Sequence, residues 1–458
     1  MKDNVRERIA IIAKNSIKYI DIIIDEWNNG NSVVLLDYNI PLVTIERMLD
    51  EANVKKCYIE KGLLNSCVIN SNKINYINFD LQNNDVCFVE DYIYSKYKKN
   101  YSKKEALIIY SSGTTGMSKG VILTHYAISK NADSIQKYMK LSRNDIMYIV
   151  KPLFHSSTIV GELLVCLKNK VKIIIGGNFL IPRKIIENIK KFKVSVICIN
   201  PYLLGEITNY CQKNYLLKST LKIIYVSGSI LSEKLGKMAK LVLKNVEICN
   251  MYGLTEAGPR VSSQTELNNV DNSVGKAIKG VKIQIINEKG KRCKNNEKGI
   301  IHVKTKSIYK SYVKGKTKNI SLYKKWLNTG DIGYFDNKHN LYIIGRLDDV
   351  IIYNSHKIYP INIEEFILKN LPIKECFVTS YSLGDKTIIV CFYKSESNND
   401  LLKEIKEKLV NSFLPYEIPK YYIEVQDIIR NANKKIDKHK MYKLFKERIN
   451  GKIKENNN

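Results

Sequence analysis

One stretch of the chain has the residue types to hold a polyphosphate. Ile109-Tyr110-Ser111-Ser112-Gly113-Thr114-Thr115-Gly116-Met117-Ser118-Lys119-Gly120-Val121 follows an apolar, strand-like segment over 106–110. Glycines that tolerate unusual backbone angles, with hydroxyls between them, let a loop turn N–H and O–H groups toward phosphate oxygens. Lys119 adds the matching charge. Two commoner phosphate motifs do not fit. A Walker loop needs Gly-Lys-Ser/Thr, whereas Ser118 precedes the lysine here, and the dinucleotide fingerprint needs Gly-x-Gly-x-x-Gly. Taken alone, so short a run also reads as a Ser/Gly-rich surface loop.

Other segments offer complementary chemistry. Asn250-Met251-Tyr252-Gly253-Leu254-Thr255-Glu256 combines an aromatic face for a base, a hydroxyl for a phosphate oxygen and a hard carboxylate for a hard cation. By itself it equally describes a turn opening a helix, with Glu in the first turn. Lys151-Pro152-Leu153-Phe154-His155 contributes a histidine, a residue that in isolation is more often structural. Trp326-Leu327-Asn328-Thr329-Gly330-Asp331 is followed by Gly345-Arg346-Leu347-Asp348-Asp349, where Asp-Asp alone would be a solvated turn. Arg430-Asn431-Ala432-Asn433-Lys434-Lys435-Ile436-Asp437-Lys438 alone would be a solvated basic tail.

In this order, together with Val226-Ser227-Gly228-Ser229, the segments closely resemble those of the adenylate-forming acyl/aryl-CoA synthetase family, and the likeness runs from about residue 6 to about 445. The resemblance implies a role for each. Ser111, Ser112, Gly113, Thr114, Thr115, Gly116 and Lys119 would hold the phosphates of ATP. Ser227 and Gly228 would flank the adenine and the acyl pocket, and Tyr252 would pack on the adenine ring. Thr255 would contact the α-phosphate, Glu256 would hold Mg²⁺, and His155 would line the place where the carboxylate meets ATP. Asp331 would accept from both ribose hydroxyls, with Arg346 as a further ribose or phosphate contact. Asp348 would be the hinge between a large and a small domain. Lys435 would come over the site for adenylation, although Lys434 stands where the family has Gly, so two lysines compete for the role.

The implied reaction is activation of a carboxylic acid to acyl-AMP with release of pyrophosphate, then transfer to the thiol of coenzyme A. One segment departs from the pattern. In Val350-Ile351-Ile352-Tyr353-Asn354-Ser355-His356-Lys357-Ile358-Tyr359-Pro360, Asn354 and Ser355 replace two glycines that let backbone approach the pantetheine thiol. A carrier-protein phosphopantetheine, or another acceptor, is therefore the alternative to CoA. A non-catalytic adenylate-binding protein fits poorly with retention of Lys119, Glu256, Asp331, Arg346 and Lys435. An amino-acid-activating domain fits less well too, because Ser156 stands where those domains usually place Asp. Pocket candidates are His155, Ser156, Val160, Asn200, Ser227 and Gly253, a mixture that suits a small or medium acyl or aryl group.

These loops need a scaffold, and the chain has one. Apolar runs over 32–36, 106–110, 171–175, 194–199, 221–226 and 247–249 alternate with helical patterns over 182–192 and 232–244. Such alternation predicts an α/β fold of doubly wound parallel sheets covered on both faces. After about residue 270, candidates over 281–286, 299–303 and 341–344 are separated by turn-like segments, which predicts a barrel-like subdomain to about 345. A smaller α+β domain follows over 346–450, with strands near 376–380 and 388–393 and a helix near 400–412. The large domain is thus expected over 1–345. The Lys/Asn-rich 451–458 reads as a disordered tail.

Composition narrows the classes further. With 458 residues and 44% hydrophobic content the chain can bury a sizeable core. The formal charge of +29 invites a nucleic-acid reading. Yet Lys, Asn, Ile and Tyr are in excess together, as A/T-rich codons would produce, and no nucleic-acid motif accompanies them. A field that draws in ATP and other anions is the milder consequence. The ten cysteines are scattered without a Cys-x-x-Cys, which fits a reduced, cytoplasmic setting and no structural zinc. No apolar stretch nears the roughly 18–20 residues of a membrane span, and residues 1–12 are too charged for a signal peptide. The amino terminus is short for the family, trimming one edge of the first sheet without removing a motif residue.

Overall fold

The computed structural model describes residues 6–63, 74–80, 86–111, 118–176, 181–213, 220–314, 322–323, 325–353, 356–383, 386–396, 401–431 and 435–455. They form two compact units. The first comprises 1–231, 235–329 and 334–342, the second 232–234, 330–333 and 343–458.

Two sheets build the first unit. One has seven strands in the order Ser311–Tyr312, Lys119–Thr124, Glu105–Ser111, Ser32–Leu36, Arg8–Ile12, Lys56–Glu60, Asn75–Phe79. The strands from Glu105–Ser111 to Asn75–Phe79 run parallel. Every residue of Ser32–Leu36 is buried, as a strand covered on both faces requires. Lys119–Thr124 instead turns back antiparallel on Glu105–Ser111, with Ser111 opposite Lys119. The second sheet has eight strands, and Glu247–Tyr252, Ile223–Val226, Val196–Ile199, Ile146–Ile149 and Lys172–Ile175 are its parallel centre. Isoleucine and valine dominate these strands because β-branched side chains suit a pleated, buried surface. Helices such as Pro182–Lys191 and Pro201–Lys213 pack on them through Ile185, Ile189, Leu204 and Ile207. The register sets Ile199, Val226 and Asn250 level.

Beyond residue 270 the pairing turns antiparallel, Val281–Ile286 against Gly299–Thr305. These strands belong to a five-stranded sheet.

The second unit centres on a three-stranded sheet. Ile373–Leu383 pairs antiparallel with Lys386–Ser395, which pairs parallel with Tyr421–Glu424. Alternation along the strands divides two cores. Val378, Cys391 and Tyr393 pack with Ile363 and Ile367 of helix Pro360–Asn370 and Ile405 and Leu409 of helix Leu402–Val410. Phe377, Val390 and Phe392 face Met441 and Phe445 of helix Lys438–Glu455. That helix continues past Asn450, where the composition had pointed to disorder, because Lys and Glu are good helix formers once a helix is under way. Among the described residues no helix is long and apolar enough to cross a membrane.

Candidate active site

Four neighbouring parallel strands end on one edge of the second sheet, and a candidate site residue follows each end. The strand Ile146–Ile149 leads into Lys151–His155, Val196–Ile199 into Asn200, and Ile223–Val226 into Ser227 and Gly228; Glu247–Tyr252 ends on Tyr252 itself. Open α/β sheets bind ligands outside the carboxyl ends of their strands. Ser227 is buried and its N–H donates to the carbonyl of Ile199 at 3.0 Å. Gly228 has φ +106, a conformation that side-chain-bearing residues rarely adopt.

Two of these segments touch directly. Ser156, next to His155, opens a short helix whose first carbonyl-capping residue is His155; the backbone N–H groups of Thr158 and Ile159 donate to the His155 carbonyl at 2.9 and 3.0 Å. The His155 ring packs edge-on against Phe154, with centroids 4.7 Å apart. The Ser156 and Thr255 hydroxyls are 2.9 Å apart. Thr255, Glu256 and Ala257 form a single 3₁₀ turn. Gly253 makes that turn possible. A Cβ on it would lie 1.8 Å from the carbonyl oxygen of Pro259 and 3.0 Å from Cα of Arg260, both backbone atoms that cannot swing away. Gly253→Ala is therefore expected to destabilise the protein by about 3 kcal/mol or more, read as a lowered urea midpoint. An unchanged midpoint would show that the turn has slack.

Glu256 is 5% exposed. Tyr312 donates its phenolic O–H to Glu256 Oε1 at 3.0 Å, and Tyr309 N–H donates to the Glu256 carbonyl at 2.9 Å. Tyr312 lies opposite Val121 in the strand that starts at Lys119. Through Tyr312 the carboxylate is thereby tied to the strand that begins at Lys119, two residues before Val121. Ser111 and Lys119 face each other as the last paired residues before that loop. Ser112, Gly113, Thr114, Thr115 and Gly116 lie outside the described residues, as do Lys434, Asn354 and Ser355. Among the described residues no group of three or more His, Cys, Asp or Glu could hold a metal. One buried carboxylate beside two hydroxyls instead suits Mg²⁺ arriving on phosphate oxygens, since that ion keeps several waters and takes only one or two protein carboxylates.

The first unit thus gathers Lys119, His155, Ser156, Ser227, Gly228, Tyr252, Thr255 and Glu256. Asp331, Arg346, Asp348 and Lys435 belong to the second. There Arg346 donates from Nη1 to Asp331 Oδ1 at 2.8 Å, a pair in which Asp331 is buried and Arg346 about one-third exposed. Asp348 is exposed in the 3₁₀ turn Leu347–Asp349. Lys435 is exposed, in a loop closed by Arg430 pairing with Ile436 and by Asn431, which bonds both the N–H and the carbonyl of Lys435.

Sequence reading passed over a second set of charges in the first unit. Glu162 is fully buried in a π-helical stretch, Ile159–Leu164, a geometry often found at functional sites. Lys151 Nζ lies 2.9 Å from Glu162 Oε1. Burial raises the Glu162 carboxyl above the usual range, opposed first by Lys151 and then by Arg260. The available signal was a lone Glu inside Ile159-Val160-Gly161-Glu162-Leu163-Leu164-Val165. Nothing local flagged Arg260, which follows Gly258-Pro259 in a turn.

Comparison with known proteins gives the same direction. Residues 4–313 match the family model described as AMP-binding enzyme. The 4-coumarate–CoA ligase CCL1 of Humulus lupulus is 26% identical over 341 residues, which are 71% of this chain and 62% of the relative. The chain therefore spans less than two thirds of the length of that curated relative. The ATP-bound MatB structure from Rhodopseudomonas palustris superposes with a TM-score of 0.85 at 18% identity, covering 96% of this chain and 89% of that one. The O-succinylbenzoate coenzyme A synthetase from Bacillus subtilis, in complex with ATP and magnesium ion, gives 0.79 at 20% identity over 94% and 88%. At these identities the structural likenesses establish the fold.

Proposed function

Because the chain belongs to the AMP-binding enzyme family, we propose that it activates a carboxylic acid with ATP and passes the acyl group to the thiol of coenzyme A. The observation that carries this reading is the contact of Ser156 with Thr255 beside Glu256. It gathers phosphate-binding hydroxyls and a hard carboxylate at the carboxyl edge of the second sheet, next to the strand that begins at Lys119. The relatives named as CoA ligases support the acceptor.

In the proposed reaction a carboxylate oxygen attacks the α-phosphorus of ATP in line, the bond to pyrophosphate breaks, and acyl-AMP remains bound. Catalysis is then mostly positioning and charge stabilisation. His155 and Ser156 line the approach of the carboxylate. Thr255 donates its hydroxyl to an α-phosphate oxygen, while Ser111–Gly116 and Lys119 receive the outer phosphates. Glu256 would hold Mg²⁺, which would supply neutralising charge for the departing pyrophosphate. Tyr252, Ser227 and Gly228 frame the adenine, and Asp331 accepts from the ribose hydroxyls with Arg346 holding its orientation. Lys435 bridges carboxylate and α-phosphate oxygens as negative charge crowds between them.

Asp348 is proposed as the hinge between a large domain, 1–345, and a small mobile domain, 346–450, which turns between the two half-reactions. Proline fixes φ and resists such rotation. Asp348→Pro should spare one half-reaction and slow the other at least tenfold, measured as pyrophosphate exchange against thioester formation from supplied acyl-AMP. Equal loss of both in a folded protein would remove the hinge from Asp348.

A second acceptor reading rests on the sequence alone, where Asn354 and Ser355 replace two glycines that let backbone approach a pantetheine thiol; it replaces CoA with a carrier-protein phosphopantetheine or another nucleophile. A panel of carboxylic acids in ATP–pyrophosphate exchange tests adenylation. The best acid with ATP, given free CoA or a phosphopantetheinylated carrier and read by mass spectrometry, tests the acceptor. Accumulating acyl-AMP without acyl-CoA would promote the second reading. The scattered cysteines favour a reduced, cytoplasmic setting.

A further inference from the structure

The charges around Glu162 do not balance. Lys151, Glu162 and Arg260 are 9%, 0% and 2% exposed. Lys151 pairs with Glu162 and Arg260 also acts on that carboxylate, so one negative charge faces two positive ones and the three groups carry a net charge of +1. Burying net charge is unfavourable, so a chain retains it where something else supplies the opposite sign.

The guanidinium also has a specific edge to offer. Arg260 Nε and Nη2 have no hydrogen-bond partner among the described residues, nor do Lys151 Nζ and the two carboxylate oxygens of Glu162. These two nitrogens form one side of the planar fork, the side that grips a carboxylate through two parallel hydrogen bonds. The residue is held firmly at its backbone. Its N–H donates to Asn131 Oδ1 and its carbonyl accepts from Asn131 Nδ2, both at 3.0 Å. Gly161 presents no side chain to the guanidinium; a Cβ there would sit 3.3 Å from Nη2 and 3.6 Å from Nε. Tyr138 is a further neighbour. Burial raises its phenol, and Arg260 pulls the other way.

Ser156 and Thr255 touch through their hydroxyls, and the same two segments meet again five residues later, at Gly161 and Arg260. The two contacts are thus one to two helical turns apart along the segment from Ser156 to Gly161. A single negative charge neutralises the cluster, which favours a carboxylate over a dianionic phosphate. A neutral amide or hydroxyl would leave the excess charge in place.

We propose that the acid activated here carries a second carboxylate at its far end, received by the Nε/Nη2 edge of Arg260. This rests on the adenylation reading above and names its substrate class. Lys151 and Glu162 act as positioning residues that fix the net charge around Arg260.

The test is ATP–pyrophosphate exchange with chain-matched pairs, each an α,ω-dicarboxylic acid and the monocarboxylic acid of equal length, in aliphatic and aryl series. The wild-type protein should prefer the diacid in kcat/KM by about 10²-fold, the scale of a buried charge pair losing one partner. Arg260→Met should abolish that preference, chiefly through KM for the diacid, and Arg260→Lys should restore part of it. Circular dichroism and thermal unfolding establish that each variant is folded. The wild-type preference needs no variant and is decisive by itself. A wild-type preference for the monoacid, or an Arg260→Met protein that keeps the diacid preference, would overturn the proposal. Exchange with no acid of either class would overturn the adenylation reading, and the proposal with it.

Discussion

Lys435→Ala lowers ATP–pyrophosphate exchange by about 10²–10³-fold, the range seen when one preorganised charge is taken from a transition state. Formation of thioester from supplied acyl-adenylate falls far less, because no negative charge crowds around the phosphorus once pyrophosphate has left. The structure explains why a lysine in an exposed loop can be placed reproducibly. Asn431 donates its backbone N–H to the Lys435 carbonyl at 2.8 Å, and the Lys435 N–H donates to Asn431 Oδ1 at 3.1 Å. Arg430, paired with Ile436, is itself anchored to Glu375 at 2.8 Å. The backbone at Lys435 is thus fixed from both sides. Lys434→Ala is the control for the missing glycine. If Lys434→Ala loses exchange while Lys435→Ala keeps it, the assignment is one residue off.

Glu256→Gln is expected to cost a similar 10²–10³ in exchange rate while the fold survives. The amide oxygen still accepts from Tyr312, and the backbone carbonyl still accepts from Tyr309, so what disappears is the negative charge. Half-maximal activity should then need a higher Mg²⁺ concentration, since an amide is a weaker ligand than a carboxylate for a hard cation. Tyr312→Phe removes only the hydrogen bond that aims the carboxylate and should cost roughly tenfold, on the scale of about 1.5 kcal/mol for a bond to a charged group. A Glu256→Gln protein with full activity and an unchanged Mg²⁺ requirement would take Glu256 out of the metal role.

Much of the scaffold could be read from apolar runs alone. The strands expected over 32–36 and 281–286 form with those bounds. Others shifted for reasons that only pairing supplies. The run 106–110 extends to Glu105–Ser111 because Lys119–Thr124 pairs along it. The run 194–199 begins two residues late, as Val196–Ile199, because Lys193 takes φ +55 and Val194 bonds back to Ile189. The site divides in the same way. Motifs whose chemistry would be local, such as Thr255-Glu256 or Ser111 to Lys119, stand out in the sequence because each groups its hydroxyls with a carboxylate or a lysine within a few residues. The contact of Ser156 with Thr255, the bond from Tyr312 to Glu256 and the approach of Arg260 to Gly161 join residues far apart in sequence. Each depends on which strands lie side by side, and neither composition nor periodicity reports that.

The parallel strands that end together in the second sheet have a consequence for how this protein tolerates change. Their bodies are largely buried Ile and Val, whereas the candidate pocket residues Ser156, Asn200 and Ser227 come after the strands have ended. Losses of function in a saturation library should accordingly fall into two populations. Substitutions within the strands deplete the soluble protein, and substitutions at Asn200, Ser227 or Ser156 leave its abundance intact while changing which acids it accepts. Selectivity can then drift across a lineage without the fold being renegotiated at each step.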